Sequence, residues 1–170
     1  SYSDVNGDGY DDPLIGSPAE ATFGTYTGAV YVILGAKKLP SNQDLSTAEA
    51  KLVGEKGAGC AGLSLSGAGD INGDGFEDLV IGAGMDDTAG QDAGASFIVL
   101  GSSVGIANMN LSEANAKING EKGGDYSSSA VSGAGDTNND GFDDLIIGAS
   151  SESTVANNSG AVYLLLGSQY

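Results

Sequence analysis

Residues 70–84 read DINGDGFEDLVIGAG. Asp70, Asp74, Glu77 and Asp78 crowd into its first nine positions, and Leu79, Val80 and Ile81 follow at once. Like charges this close repel, so the stretch is either a very acidic turn or a cradle for something positive. The rest of the chain repeats it. DVNGDGYDDPLIGSP begins at Asp4 and DTNNDGFDDLIIGAS at Asp136, so the copies stand 66 residues apart. GAVYVILG at Gly28 returns as GASFIVLG at Gly94 and GAVYLLLG at Gly160. KLVGEKG at Lys51 returns as KINGEKG at Lys117. A fixed period of this length marks a repeat architecture, in which each unit buries its core only against its neighbours.

The landmarks between the acidic stretches read as strands. AVYVILG, AVYLLLG, DLVIGAG and DLIIGAS are short, rich in β-branched residues and bounded by glycine. They are nearly continuous apolar runs, which suits strands covered on both faces. LSLSGAG and SSAVSGAG are small-residue strands suited to a crowded inner position, and AKLVGE and AKING are a more polar fourth strand at an outer edge. Only DLSTAEAKL, Asp44–Leu52, suggests a single helical turn. Four short strands per repeat with both faces buried means sheets stacked on sheets. Radial stacking gives a β-propeller, with a sandwich or a β-solenoid as competing geometries. The fold class expected is all-β: propeller blades of four antiparallel strands joined by acidic hairpin loops.

Aligned on their first aspartate, the three loops keep one pattern of oxygen side chains. Position 1 is Asp4, Asp70 and Asp136; position 3 is Asn6, Asn72 and Asn138; position 5 is Asp8, Asp74 and Asp140; position 9 is Asp12, Asp78 and Asp144. Glycine at position 6 (Gly9, Gly75, Gly141) permits a sharp bend, and the backbone carbonyl of Tyr10, Phe76 or Phe142 at position 7 can add a ligand. Hard oxygen donors in a flexible loop suit Ca²⁺ better than Mg²⁺. A plain hairpin turn would explain the asparagines and glycines but not the aspartates at positions 1, 5 and 9. The neighbouring Asp11, Glu77 and Asp143 are expected to face solvent. The loop is not an EF-hand, because position 12 is Ile15, Ile81 or Ile147 rather than a carboxylate.

Composition narrows the function. Six basic against 23 acidic residues leave a net charge of −17. That balance argues against nucleic acid and anionic membrane surfaces as partners. The sequence has no histidine, which excludes histidine catalysis and ligation. No apolar run reaches the length of a membrane span. Cys60 is the lone cysteine and reads as a small residue near a strand end.

The D-x-N-x-D-G-x-x-D loop followed by DLVIGAG and then GASFIVLG resembles the FG-GAP repeat, the blade unit of the integrin α-subunit propeller, over essentially the whole chain. The resemblance implies that each loop binds calcium, giving three sites, and that it joins the first two strands of a blade. The Phe-Gly pair of that family falls on Ala61-Gly62 and Ser127-Ser128, so the namesake motif is degraded while the loops are intact. Asn139 stands in the third loop where the others have glycine.

Three units follow: 1–57, an incomplete first blade with loop 4–12; 58–123, a complete blade with loop 70–78; and 124–170, an incomplete last blade with loop 136–144. That is about ten strands, or about 2.5 blades, with the chain expected to enter after a blade's first strand and to leave after another's third. Open edges invite protein partners, through self-assembly or a longer parent chain. The function expected is a calcium-stabilised, non-catalytic structural or adhesion module, extracellular or at the cell surface. The competing reading is a carbohydrate- or protein-binding accessory domain of a larger secreted enzyme, so glycans remain a partner class. An enzyme in its own right would need a carboxylate pair, and the obvious carboxylates sit in the loops.

Overall fold

The computed structural model describes residues 1–39, 41–55, 57 and 59–169. The expected start of the second unit, Ala58, and the last residue, Tyr170, lie outside them. The described residues are β-strands joined by turns, with two single 3₁₀ turns. In chain order the strands are β1 (Tyr2–Ser3), β2 (Asp12–Ser17), β3 (Ala29–Val32), β4 (Ala50–Val53), β5 (Ser64–Gly69), β6 (Asp78–Ala83), β7 (Ala95–Val99), β8 (Met109–Asn110), β9 (Ala116–Asn119), β10 (Ser127–Gly135), β11 (Asp144–Ala149) and β12 (Ala161–Leu165).

They form three sheets, ordered β1-β2-β3-β4-β8, β5-β6-β7-β9 and β10-β11-β12. Every pairing is antiparallel except β4 with β8. The second sheet is the four-stranded blade expected, with the small-residue strand first and the polar strand last. Two strands were not expected. Tyr2–Ser3 pairs with Asp12–Pro13, so the first sheet begins with a stub of its own first strand rather than after it. Met109–Asn110 runs beside Leu52–Val53 and ties the second repeat to the first. The helical turn expected in Asp44–Leu52 is Leu45–Thr47, capped by the Asp44 side chain, and Asn110 caps its counterpart Leu111–Glu113.

The sheets stack in a row through their inner strands: β5 packs against β1 on one side and β10 on the other. One apolar core lies between the first and second sheets, built on Leu14, Val30, Leu52, Leu79, Ile81, Phe97 and Leu111. Another lies between the second and third, on Ala68, Ile71, Val80, Ile98 and Leu145. All residues of β6 and β7 are therefore buried, as the unbroken apolar runs require.

Backbone meets backbone where blades touch. Gly28 and Gly94 have φ of +78° and +81°, and a Cβ on either would stand 2.2 Å or 2.0 Å from the carbonyl oxygen of Ala61 or Ser127. Only glycine meets both demands. Gly160, their counterpart in the third repeat, keeps the positive φ but has no atom closer than 3.5 Å to such a Cβ.

Candidate metal centres on the acidic loops

Each acidic loop joins the first and second strands of its sheet, at one end of the stack. The three loops share one hydrogen-bond pattern. The position-1 aspartate accepts the backbone N–H groups of positions 5 and 6, and Asp70 accepts that of Gly73 as well, at 2.7 Å. Asp4 takes those of Asp8 and Gly9 at 3.1 and 2.9 Å, Asp70 those of Asp74 and Gly75 at 3.0 and 2.8 Å, and Asp136 those of Asp140 and Gly141 at 3.0 and 2.9 Å. The position-3 asparagine accepts from the same position-5 N–H, and the position-5 aspartate accepts from the N–H of Tyr10, Phe76 or Phe142. The asparagine amide then donates to the position-5 carboxylate, at 3.2, 2.9 and 2.8 Å. Oxygens at positions 1, 3 and 5 are thereby folded onto one small curl of backbone. Position 4 must turn left-handed for this, with φ of +69° at Gly7, +74° at Gly73 and +60° at Asn139. Asparagine is among the few side chains that accept that conformation, so the third loop keeps the shape of the others.

The position-9 aspartate does something else. Asp12, Asp78 and Asp144 are fully buried. One oxygen accepts the N–H of position 2 (Val5, Ile71, Thr137) at 3.0, 3.1 and 2.9 Å. The other accepts the N–H of a glycine at the end of the third strand (Gly35, Gly101, Gly167) at 2.6, 2.9 and 2.9 Å. That glycine is fixed by space as well, since a Cβ on any of the three would stand 2.3 Å from the carbonyl oxygen of Asp11, Glu77 or Asp143. The buried carboxylate therefore pins the loop to the end of the neighbouring third strand. Sequence reading assigned these aspartates to an ion alone and missed the brace. Its signal was present: aspartate and glycine stand 23 residues apart in every repeat.

Electrostatics separates the loops. Burial pushes the Asp78 carboxyl up to about 6, and the charges of Asp74 and Asp70 push the same way against its two N–H donors. Burial likewise raises Asp12, with Asp8 and Asp4 adding to it. Asp144 is shifted the other way, chiefly by the Thr137 hydroxyl, which donates to it where Val5 and Ile71 have none to give. In the first two loops burial thus works against the charged form of the position-9 carboxylate, and in the third the added hydroxyl favours it. Among the described residues, however, no three acidic, cysteine or histidine side chains close to metal-holding distance. In this form the loop oxygens are turned onto the loop's own N–H groups. Each retains lone-pair capacity, so the donor set fits a hard cation.

Asp11 and Glu77 are exposed as expected and Asp143 is half-buried; Glu77 and Asp143 also link one loop to the next. Glu77 accepts the N–H of Asp4 at 3.1 Å and the Ser3 hydroxyl at 3.0 Å, and Asp143 accepts the N–H of Asp70 at 2.9 Å. The Phe76 and Phe142 rings lie against Gly7 and Gly73 of the preceding loop, within about 3 Å of where a Cβ would be. Cys60 is a buried free thiol with its Sγ 3.7 Å from Met85 Sδ, away from the loops.

Comparison with known proteins meets this geometry. The family model described as "FG-GAP repeat" matches residues 2–33, 61–99 and 128–165, one match per sheet. Integrin alpha-PS5 of Drosophila melanogaster is 36% identical over 151 residues, covering 86% of this chain and 14% of that protein. Integrin alpha-PS2 of the same organism is 35% identical over 164 residues, covering 90% and 11%. Integrin alpha-IIb of Mus musculus is 33% identical over 162 residues, covering 92% and 15%. The chain thus spans only a small part of the length of these relatives.

Proposed function

The chain belongs to the FG-GAP repeat family, and on that premise we propose that it is a calcium-stabilised, non-catalytic module of an extracellular or cell-surface adhesion or structural protein. The observation that carries this is the threefold recurrence of one oxygen-lined loop, with the same hydrogen bonds, in three sheets. Three ions would be held by Asp4, Asn6, Asp8, the Tyr10 carbonyl and Asp12; by Asp70, Asn72, Asp74, the Phe76 carbonyl and Asp78; and by Asp136, Asn138, Asp140, the Phe142 carbonyl and Asp144. Calcium supplies charge neutralisation and a rigid hub; the residues supply the curl that gathers the oxygens and the brace that ties it to the sheet. Filling three sites takes the net charge from −17 to about −11. An ion bound only by the native state adds stability by mass action.

The integrin alpha names of the relatives support an adhesion setting and protein partners, in which units 1–57, 58–123 and 124–170 are successive blades of a larger assembly or parent chain. No helix among the described residues is long and apolar enough to cross a membrane. Isothermal calorimetry on the chelator-stripped chain tests the calcium reading. Uptake of three ions with Kd of about 10⁻⁴ to 10⁻³ M, as in other extracellular calcium modules, is expected. Absence of calcium uptake by folded protein would overturn it.

A further inference from the structure

The position-1 carboxylate can gather the N–H groups of positions 5 and 6 only if its own backbone aims it inward. In the first loop that backbone is held from outside. The Asp4 N–H donates to the Glu77 carboxylate at 3.1 Å, and the Asp4 carbonyl accepts the Glu77 N–H at 3.4 Å. The Val5 carbonyl accepts the N–H of Ser102 at 3.0 Å, one residue past the bracing Gly101. The Val5 N–H is held from within the loop, by Asp12. The second loop stands in the same relation to the third. The Asp70 N–H donates to the Asp143 carboxylate at 2.9 Å, the Asp70 carbonyl accepts the Asp143 N–H at 3.1 Å, and the Ile71 carbonyl accepts the Ser168 N–H at 3.0 Å. In both loops, three of the four backbone polar groups at positions 1 and 2 are thus satisfied by the repeat that follows.

Each acid is fitted to the residue it meets. The Ser3 hydroxyl, from the residue before Asp4, donates to Glu77 at 3.0 Å. At the matching place in the second repeat stands Gly69, with φ of +74°, where a Cβ would lie 2.0 Å from Asp143 Oδ2. The longer acid goes with a serine that donates to it, and the shorter, half-buried acid with a glycine that leaves it room. Both acids occupy position 8, which lies outside the oxygen donors at positions 1, 3, 5, 7 and 9 of their own loops.

On the calcium reading of the loops, which it rests on and deepens, we propose that Glu77 is a positioning residue for the ion site of loop 4–12, and Asp143 for that of loop 70–78. The acid at position 8 shapes the site of the preceding repeat and not its own. It acts through the backbone of Asp4 or Asp70, by fixing the direction from which that carboxylate closes on the curl. A carboxylate makes the stronger kind of hydrogen bond to a backbone N–H. The reverse bond, from the acid's own N–H to the position-1 carbonyl, holds the next peptide along, so position 1 is gripped on both sides. Loss of the acceptor leaves the Asp4 N–H to water and frees the start of the loop, with the oxygen donors themselves unchanged.

The test is a calcium chloride titration of the chelator-stripped chain, followed by amide chemical shifts. The N–H groups of Gly9, Gly75 and Gly141 report the three sites, since each donates to the position-1 aspartate of its own loop. Glu77→Met should weaken uptake read at Gly9 about tenfold and leave that at Gly75 within about threefold of the parent. Glu77→Gln removes the charge but keeps an acceptor oxygen, so uptake at Gly9 should stay within about threefold of the parent. Asp143→Ala should move the loss one repeat along, to Gly75, and affect Gly9 less. No loss at Gly9 in the methionine variant, a larger loss at Gly75 than at Gly9, or equal losses in the methionine and glutamine variants would each overturn the proposal and leave the calcium reading standing. A parent chain with no saturable shift at any of the three glycines overturns the calcium reading, and the positioning role with it.

Discussion

β6 and β11 differ by one residue, DLVIGA against DLIIGA, yet they live in different surroundings. Val80 is fully buried and its counterpart Ile146 is 38% exposed. The contrast is wider in the next strand, where Ile98 is 4% exposed and Leu164 53%. Local sequence, register and the bracing aspartate are the same in both. What differs is that the second sheet has a neighbour on each side and the third, in this chain, on one. In a stacked repeat the sequence of a strand sets its pairing, and the adjacent unit sets its burial.

Paired substitutions measure that difference. The largest effect belongs to the ring at the centre of the second sheet. Phe97→Ala, at 1% exposure, should cost about 3–5 kcal/mol, while Val162→Ala, at 72% exposure, should stay within about 0.5 kcal/mol. Chemical denaturation midpoints decide this, and equal losses would mean that the third sheet is covered in solution. Next come the paired glycines. Gly160→Ala should cost about 1 kcal/mol for its left-handed backbone alone. Gly94→Ala adds a collision with the Ser127 carbonyl and should lower the melting temperature several times as far.

Third is the calcium response. At a hundredfold excess over Kd, each filled loop should add about 2.7 kcal/mol, and Asp74→Ala should remove the share of the second loop while leaving the chelated protein nearly unchanged. Identical melting of variant and parent with and without chelator would reduce the loops to plain turns. The smallest effect is on pH. The carboxyl of Asp78 titrates higher folded than unfolded, so the folded state binds the extra proton and chelated protein loses stability as pH rises from 5 to 7, by about 1 kcal/mol. Asp144, shifted down, works oppositely: its contribution is present at neutral pH and fades as pH falls. Asp78→Asn should flatten the first trend, and Thr137→Val should bring the third loop towards the second. Melting curves across that pH range follow both.

Much of this was legible in the sequence, because a repeated unit states its pattern three times. The apolar runs at Leu79–Ile81 and Phe97–Val99 announced strands buried on both faces, and the small-residue run at Ser64–Gly69 announced an inner strand. Two-residue β1 and β8 carry too little pattern to be seen, since their pairing is decided by what lies alongside. The brace from Asp78 to Gly101 and the ion pairs of Lys51 with Glu20 and of Lys117 with Asp86, each beside a threonine two residues past the acid, join residues far apart in sequence. Their signals were constant separations, aspartate to glycine and acid-x-threonine to lysine, which are visible only when repeats are laid over one another. Glu77 does face solvent, as read, but the links of Glu77 and Asp143 to the preceding repeat were not legible, because their partners belong to that repeat and nothing within one unit points to them.

Those two acids have a consequence for how the rim responds as a whole. Glu77 grips the backbone of Asp4 and Asp143 grips that of Asp70, while Phe76 and Phe142 lean on the glycines of the loop behind. Each loop is thus shaped partly by the one after it. If ions fill the loops, the occupancy of one is felt by its neighbour, as a spin in a one-dimensional chain is biased by the next. The loops would then titrate as a coupled, directional row, and not as three copies of a single isotherm.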